Sequence, residues 1–138
     1  MPRKDFYHDI VKRALLKDGW TITHDPLFLP LLDTFLQVDI GAERIEITRG
    51  IDKIAVEVKN FRQTNAYANE LHKSVGQVQM YMELLSKLEP DRDTYLAVSD
   101  EAFGAIFSKE PIRSFVQRLG IRLVVFNAIS ETITQWNP

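Results

Sequence analysis

Apolar residues recur along the chain in two periods, one of about 3.6 and one of 2, and each switch marks a new element. Phe6, Ile10, Val11, Ala14 and Leu15 share a helical face behind Asp5, a suitable N-cap. Lys17-Asp18-Gly19 closes that helix, with Gly19 at C′. A short extended piece, Trp20 to Thr23, stops at His24-Asp25-Pro26, and residues 27–33 read as a loop or wide turn. Three alternating segments follow: Phe35 to Ile40, Arg44 to Thr48, and Lys53 to Lys59, the last after a turn at Arg49-Gly50-Ile51-Asp52. In the third, Ile54, Val56 and Val58 share one face while Ala55, Glu57 and Lys59 share the other.

After a polar loop at 60–66, Leu71, Val75, Val78, Met82 and Leu85 trace one face of a long helix from Tyr67 to about Leu88. Thr94 to Val98 is an apolar run flanked by charge, which suits a buried strand. Asp100 caps a helix through Phe107, and Pro111 at N1 starts another that runs to about Leu119. Gly120 releases the apolar strand Ile121 to Phe126, and Glu131 to Trp136 forms an edge strand. This order predicts one α/β domain over 1–138, with a mixed β-sheet flanked by helices on both faces. No stretch is long enough to be a linker between two domains.

Composition narrows the chemistry. At 45% hydrophobic and 26% charged residues the chain falls among ordinary globular proteins and outside the disordered class. With no cysteine it has no disulfide, thiolate nucleophile or Cys-ligated metal, so a reducing cytoplasm is permitted. The N-terminus lacks the apolar stretch of a secretory signal, and no apolar run approaches the roughly 20 residues that span a bilayer. Seventeen basic against nineteen acidic residues give a net charge of -2, so a broad basic coat for nucleic acid is missing. Contact with nucleic acid must then be local, or supplied through a metal or a partner. Isolated glycines exclude a phosphate-cradling loop, lone His24 and His72 argue against zinc, and no nucleophile elbow is present.

What remains is a group of charges at strand ends. Glu57 and Lys59 lie about 6–7 Å apart on one strand face, and Asp39 ends a neighbouring strand among Leu36, Val38 and Ile40. If the strands pair, two carboxylates and an ammonium converge. Such carboxylates hold Mg²⁺ (or Mn²⁺), and the lysine positions a water or steadies charge during phosphodiester hydrolysis. Glu-x-Lys on a strand more often marks a solvated face with a weak ion pair. The apolar setting of both segments argues against that, as do Gln77 and Tyr81, one turn apart on the next helix.

Strand with Asp39, strand with Glu57-Val58-Lys59, then a helix with Gln77-x-x-x-Tyr81 resembles the PD-(D/E)xK nuclease superfamily, specifically its RecB-like branch. Val38 stands where the motif proline would be. The resemblance implies a restriction-endonuclease-like fold, with Asp39, Glu57, Lys59 and Gln77 as catalytic residues. Over nearly the whole chain, YHDIVKRALLKDGWTITHDP, VDIGAE, KIAVEVKNF, GQVQMYMELL, PDRDTYLAV, RLVVFN and ITQW resemble the XisH family, the fdxN element excision controlling factors. That implies a small cytoplasmic protein that assists a separate site-specific recombinase in excising DNA, alongside an XisI-like companion.

In many such nucleases a first-helix carboxylate completes the metal shell. Here that region offers Asp9, which joins Asp39 and Glu57 as a candidate ligand, and His8; Asp9 would equally complement the helix dipole. Tyr81, Lys73 and Arg62 are candidate nucleic-acid contacts, against the alternative of an ordinary polar helix face. The apolar strand Ile133 to Trp136 suits either a homodimer contact or a folded-back edge. Two functions remain open: a Mg-dependent DNA endonuclease or nicking subunit, and a catalytically silent accessory protein that keeps the fold and binds recombinase, companion or DNA.

Overall fold

Val11, Ala14 and Leu15 are fully buried along the first helix, α1 (His8–Lys17), as the helical stripe requires. These positions come from a computed structural model, which describes residues 6–61 and 67–137; the expected N-cap Asp5 lies outside the described residues. Gly19 adopts φ +92°, a conformation that L side chains rarely enter, and its N–H bonds the Leu16 carbonyl at 3.1 Å. The chain then forms β1 (Thr21–His24), β2 (Leu27–Leu31), β3 (Thr34–Val38), β4 (Ile40–Glu46) and β5 (Gly50–Val58). The long helix α2 (Tyr67–Leu88) and strand β6 (Arg92–Ser99) follow. A turn α3 (Asp100–Ala102) runs into a π-helical turn, Phe103–Phe107. Last come α4 (Ile112–Arg118), β7 (Arg122–Asn127) and β8 (Thr132–Trp136).

Six strands make one mixed sheet in the order β1-β4-β5-β6-β7-β8. β5, β6 and β7 run parallel, and the outer pairings are antiparallel. α1 covers one face through Tyr7, Val11 and Leu15 against Ile54, Val56, Val58 and Phe126. On the other face α2, the π-turn and α4 pack Val78, Ile106, Phe107 and Val116 on Leu96, Val98 and Val125. The sheet is thus sandwiched between helices, as the element order predicts.

Residues 27–33 depart from expectation. They form the first strand and turn of a β2–β3 hairpin, paired from Leu27↔Val38 to Leu31↔Thr34. Pro30 reads as a breaker in sequence, but a two-stranded ribbon has free edges where proline costs no ladder bond. Leu27 and Leu29 turn inward against Val38, Ala55, Tyr81 and Leu85, leaving Phe28 half exposed. The segment expected as one strand, Phe35 to Ile40, is accordingly divided. β3 belongs to the hairpin, β4 to the main sheet, and Asp39 alone joins them.

At the other edge, β8 folds back on its own chain. Trp136 packs 5.7 Å from Trp20 and 5.1 Å from Tyr95, and its indole N–H donates to Asp18 at 3.2 Å. Among the described residues no helix is long and apolar enough to cross a membrane.

Arg92, whose side chain is 1% exposed, stitches the start of the parallel strands. It donates to the Ile54 carbonyl at 3.0 Å and to Glu89 at 3.0 Å, and lies 3.5 Å from Glu43. Arg92→Leu strands those acceptors at a β4–β5–β6 junction. It should lower the unfolding free energy by roughly 2–3 kcal/mol, read as a shifted urea midpoint with an unchanged m-value.

Candidate functional site

The antiparallel pairing of β4 and β5 stops at Ile40↔Val56, because beyond Ile40 the chain leaves for the hairpin. Val58 N–H would then point to an empty ladder position. The Asp39 carboxylate fills it, accepting from Val58 N–H at 2.8 Å through Oδ2. In return Asp39 N–H donates to Glu57 Oε1 at 3.3 Å. Lys59 continues the same face, its Nζ 3.6 Å from Glu57 Oε2. Asp39, Glu57 and Lys59 therefore converge where the two sheets part, and Glu57 is 4% exposed.

α2 walls this place. Tyr81 is 3% exposed and donates its hydroxyl to the Gln37 carbonyl at 2.9 Å, with Glu57 beside it. That position steadies Glu57 and leaves 3% of Tyr81 exposed, on the side of a groove. Gln77, one turn earlier, lines a groove with Tyr81, and its buried Oε1 has no hydrogen-bond partner among the described residues. Lys73 is exposed a turn further along the same groove. Arg62 lies outside the described residues.

From α1 the residue that turns inward is His8, not Asp9. Successive helical residues differ by about 100°, so burial of Val11 and Leu15 carries His8 inward and leaves Asp9 exposed near Arg13. His8 Nε2 lies 2.7 Å from Asp25 Oδ1, and Lys12 Nζ 2.7 Å from Asp25 Oδ2. Asp25 was legible in sequence only as a turn residue before Pro26. Its pairing with His8 spans 17 positions and carries no local signal.

Burial dominates the electrostatics. It pushes the Glu57 carboxyl up to about 8; the Asp39 charge pushes the same way and Lys59 partly opposes both. Burial also raises Asp39, against the Val58 N–H and the charges of His8 and Lys59. Tyr81 is raised by burial and then by Glu57 and Asp39. Asp25 goes the other way: burial opposes its ionisation, but hydrogen bonds from Lys12 and His8 outweigh it.

The donors present fit a hard divalent cation. A main-chain N–H takes one oxygen of each carboxylate, leaving Oδ1 of Asp39 and Oε2 of Glu57 for a cation or Lys59. Among the described residues no three His, Cys, Asp or Glu side chains are grouped to hold a metal. Two carboxylates are nonetheless a normal protein share for Mg²⁺, which keeps several waters and takes other oxygens from phosphate.

The profile of the XisH protein family matches residues 1–134. Two solved structures are similar along nearly the whole chain. One is an XisH family protein from Nostoc punctiforme, with 34% identity, a TM-score of 0.86, and coverage of 97% of this chain and 100% of that one. The other is an fdxN element excision controlling factor protein from Anabaena variabilis, with 37% identity, a TM-score of 0.86, and coverage of 96% and 98%. No curated protein matches the chain.

Raised carboxyl groups make folding proton-dependent. The native state holds the Glu57 proton until about pH 8, whereas the unfolded chain releases it near 4.5, so stability falls as pH rises through that window. Glu57→Gln removes the burden. The variant should match wild type below pH 4.5 and exceed it by roughly 2–4 kcal/mol at pH 8, in paired urea titrations across that range.

Proposed function

The chain belongs to the XisH family, and on that premise we propose that it is an excision controlling factor acting as a Mg-dependent DNA endonuclease or nicking subunit. The observation that carries this reading is the reciprocal closure of Asp39 and Glu57 at the parting of the sheets, with Lys59 beside them. A surface ion pair needs no such burial. Two adjoining carboxylates that burial makes hard to ionise are a liability for folding, and such groups collect at functional sites. The RecB-like order of Asp39, Glu57-x-Lys59 and Gln77-x-x-x-Tyr81 points the same way, and the name of one similar structure, an fdxN element excision controlling factor protein, supports the excision role alone.

In this reading Asp39 and Glu57 hold Mg²⁺ or Mn²⁺, which when bound would polarise a phosphodiester and ease deprotonation of a water. Lys59 orients that water and offsets charge on the phosphate; an ammonium has donors only and no metal-binding lone pair while protonated. Tyr81 keeps Glu57 in place from behind. Gln77 brings an unfilled hydrogen-bond acceptor to the same helix face. With a net charge of -2, DNA is presented by partners, namely the site-specific recombinase and an XisI-like companion. A silent accessory role through those same partners is the competing reading, and it makes Asp39, Glu57 and Lys59 dispensable.

Millimolar Mg²⁺ or Mn²⁺ should raise the melting temperature of the wild type by roughly 3–6 °C, because the cation relieves carboxylate repulsion in the native state alone. Asp39→Ala should abolish that shift and Lys59→Ala should keep it. Equal shifts in wild type and Asp39→Ala would remove the metal site.

Excision of a plasmid-borne element, in cells that supply recombinase and companion, tests the activity. Glu57→Ala and Lys59→Ala should both lose excision, beside a Mn²⁺ nicking assay on purified protein. Loss of excision without nicking by the isolated chain identifies a nuclease active only in complex. Full excision by both variants would establish the accessory role.

A further inference from the structure

Beside the carboxylate site, β3 and α2 enclose a groove of about 730 Å³, within the range of roughly 300–1,000 Å³ typical of ligand sites. Gln77 and Tyr81 line it, so it is continuous with the wall behind Glu57. Its surface is mainly apolar, with Phe35 half exposed and Met80 44% exposed. Among the described residues the charged and titratable lining is Lys73 and His72, both exposed, with Tyr81, and no carboxylate contributes, although acidic residues outnumber basic ones in the chain.

Gly76 adds an independent observation. It sits in the interior of the 22-residue α2, is exposed on the groove wall, and has nothing within 4 Å of where a Cβ would be. Glycine weakens a helix interior relative to alanine, and nothing inside this fold asks for it. A small residue there leaves the helix backbone open to approach from outside.

Resting on the nuclease reading, we propose that this groove receives an unpaired DNA segment, whose bases lie on Phe35 and Met80 and whose backbone passes Gly76 toward Asp39 and Glu57. Duplex DNA presents phosphates and base edges, and binding it rests on many cations. The described groove has one lysine. Unpaired bases expose the π-faces that an aromatic platform takes, with a single ammonium for an adjoining phosphate. Phe35 is set for this by Phe28, whose ring meets it edge-on at 4.9 Å.

The test is fluorescence anisotropy of full-length protein with a short labelled single-stranded oligonucleotide and the same sequence as a duplex, in Ca²⁺ so that cleavage is suppressed. Wild type should bind the single strand more tightly. Phe35→Ser should weaken it roughly tenfold. Gly76→Ala should weaken it several-fold while raising the melting temperature, a pairing that a damaged fold does not produce. Equal or tighter binding of duplex, no binding of either probe, or unchanged affinity in Gly76→Ala would overturn the proposal. Oligonucleotide binding with these losses, but without a metal-induced melting shift, would keep the groove and remove the nuclease. The shift without strand binding would do the reverse.

Discussion

The hydrogen bond from Val58 N–H to the Asp39 carboxylate is where the two sheets of this fold are tied together. A β-strand whose neighbour departs leaves main-chain groups that must find partners, and a buried N–H without one costs about as much as any lost hydrogen bond. The chain solves this with side chains. Asp39 caps the β5 edge where β4 turns away, and Glu57 takes the N–H of Asp39. Placing two carboxylates at the parting is therefore part of how the sheet ends, and the same act buries them next to each other. Val38, one residue earlier, anchors the hairpin in the cluster with Leu27, Leu29 and Tyr81. The hairpin, the carboxylates and the α2 wall form one construction.

Arg92 and Glu57 show how differently a fold can treat a buried charge. Arg92 has main-chain carbonyls and two carboxylates around its guanidinium, so its donors are matched and it welds three strands. Glu57 has one lysine, one main-chain N–H and a second carboxylate, and its ordinary ionisation is pushed out of reach below about pH 8. The first arrangement has the balance expected of a structural ion pair. The second holds a proton where a cation could sit, an imbalance that collects at functional sites.

Most of the fold was legible because its elements carry undiluted periodicity. The α2 stripe predicts Tyr67–Leu88, the bounds observed, and the apolar runs of β6 and β7 announce strands buried on both faces. The hairpin was not legible: Leu27-Phe28-Leu29-Pro30-Leu31 has no polar alternation, and its proline mimics a break. The convergence of Asp39 with Glu57 was legible since Asp39 falls in one alternating segment and Glu57 in another, although Asp39 proves to be the joint between β3 and β4. The phase of the stripe through Val11 and Leu15 favours His8 over Asp9 as the inward residue of α1, but its partner was not legible. His8 meets Asp25 through the path of β1 and the turn after it, a property of the tertiary fold alone.

Asp25 also sets what the carboxylate site lacks. His8 and Lys12 both approach from α1, and each, where charged, would ease the repulsion between Asp39 and Glu57. Asp25 takes both at 2.7 Å and its own carboxyl falls below the usual range, whereas Asp39 rises because burial outweighs the Val58 N–H and the charges of His8 and Lys59. An acidic group in contact with a cation largely cancels its field a few ångströms away. Among the described residues Lys59 is the ammonium in contact with the pair, at 3.6 Å from one oxygen. Below about pH 8 Glu57 keeps its proton; a cation that displaces it meets two carboxylates against one lysine in a low-dielectric recess, where Coulomb attraction is several times stronger than at the surface. A divalent ion arriving with a phosphate answers that deficit and carries its own substrate's charge with it. The Asp25 clasp thus shares the positive charge of His8 between two carboxylates, holding Asp25 ionised while still easing Asp39.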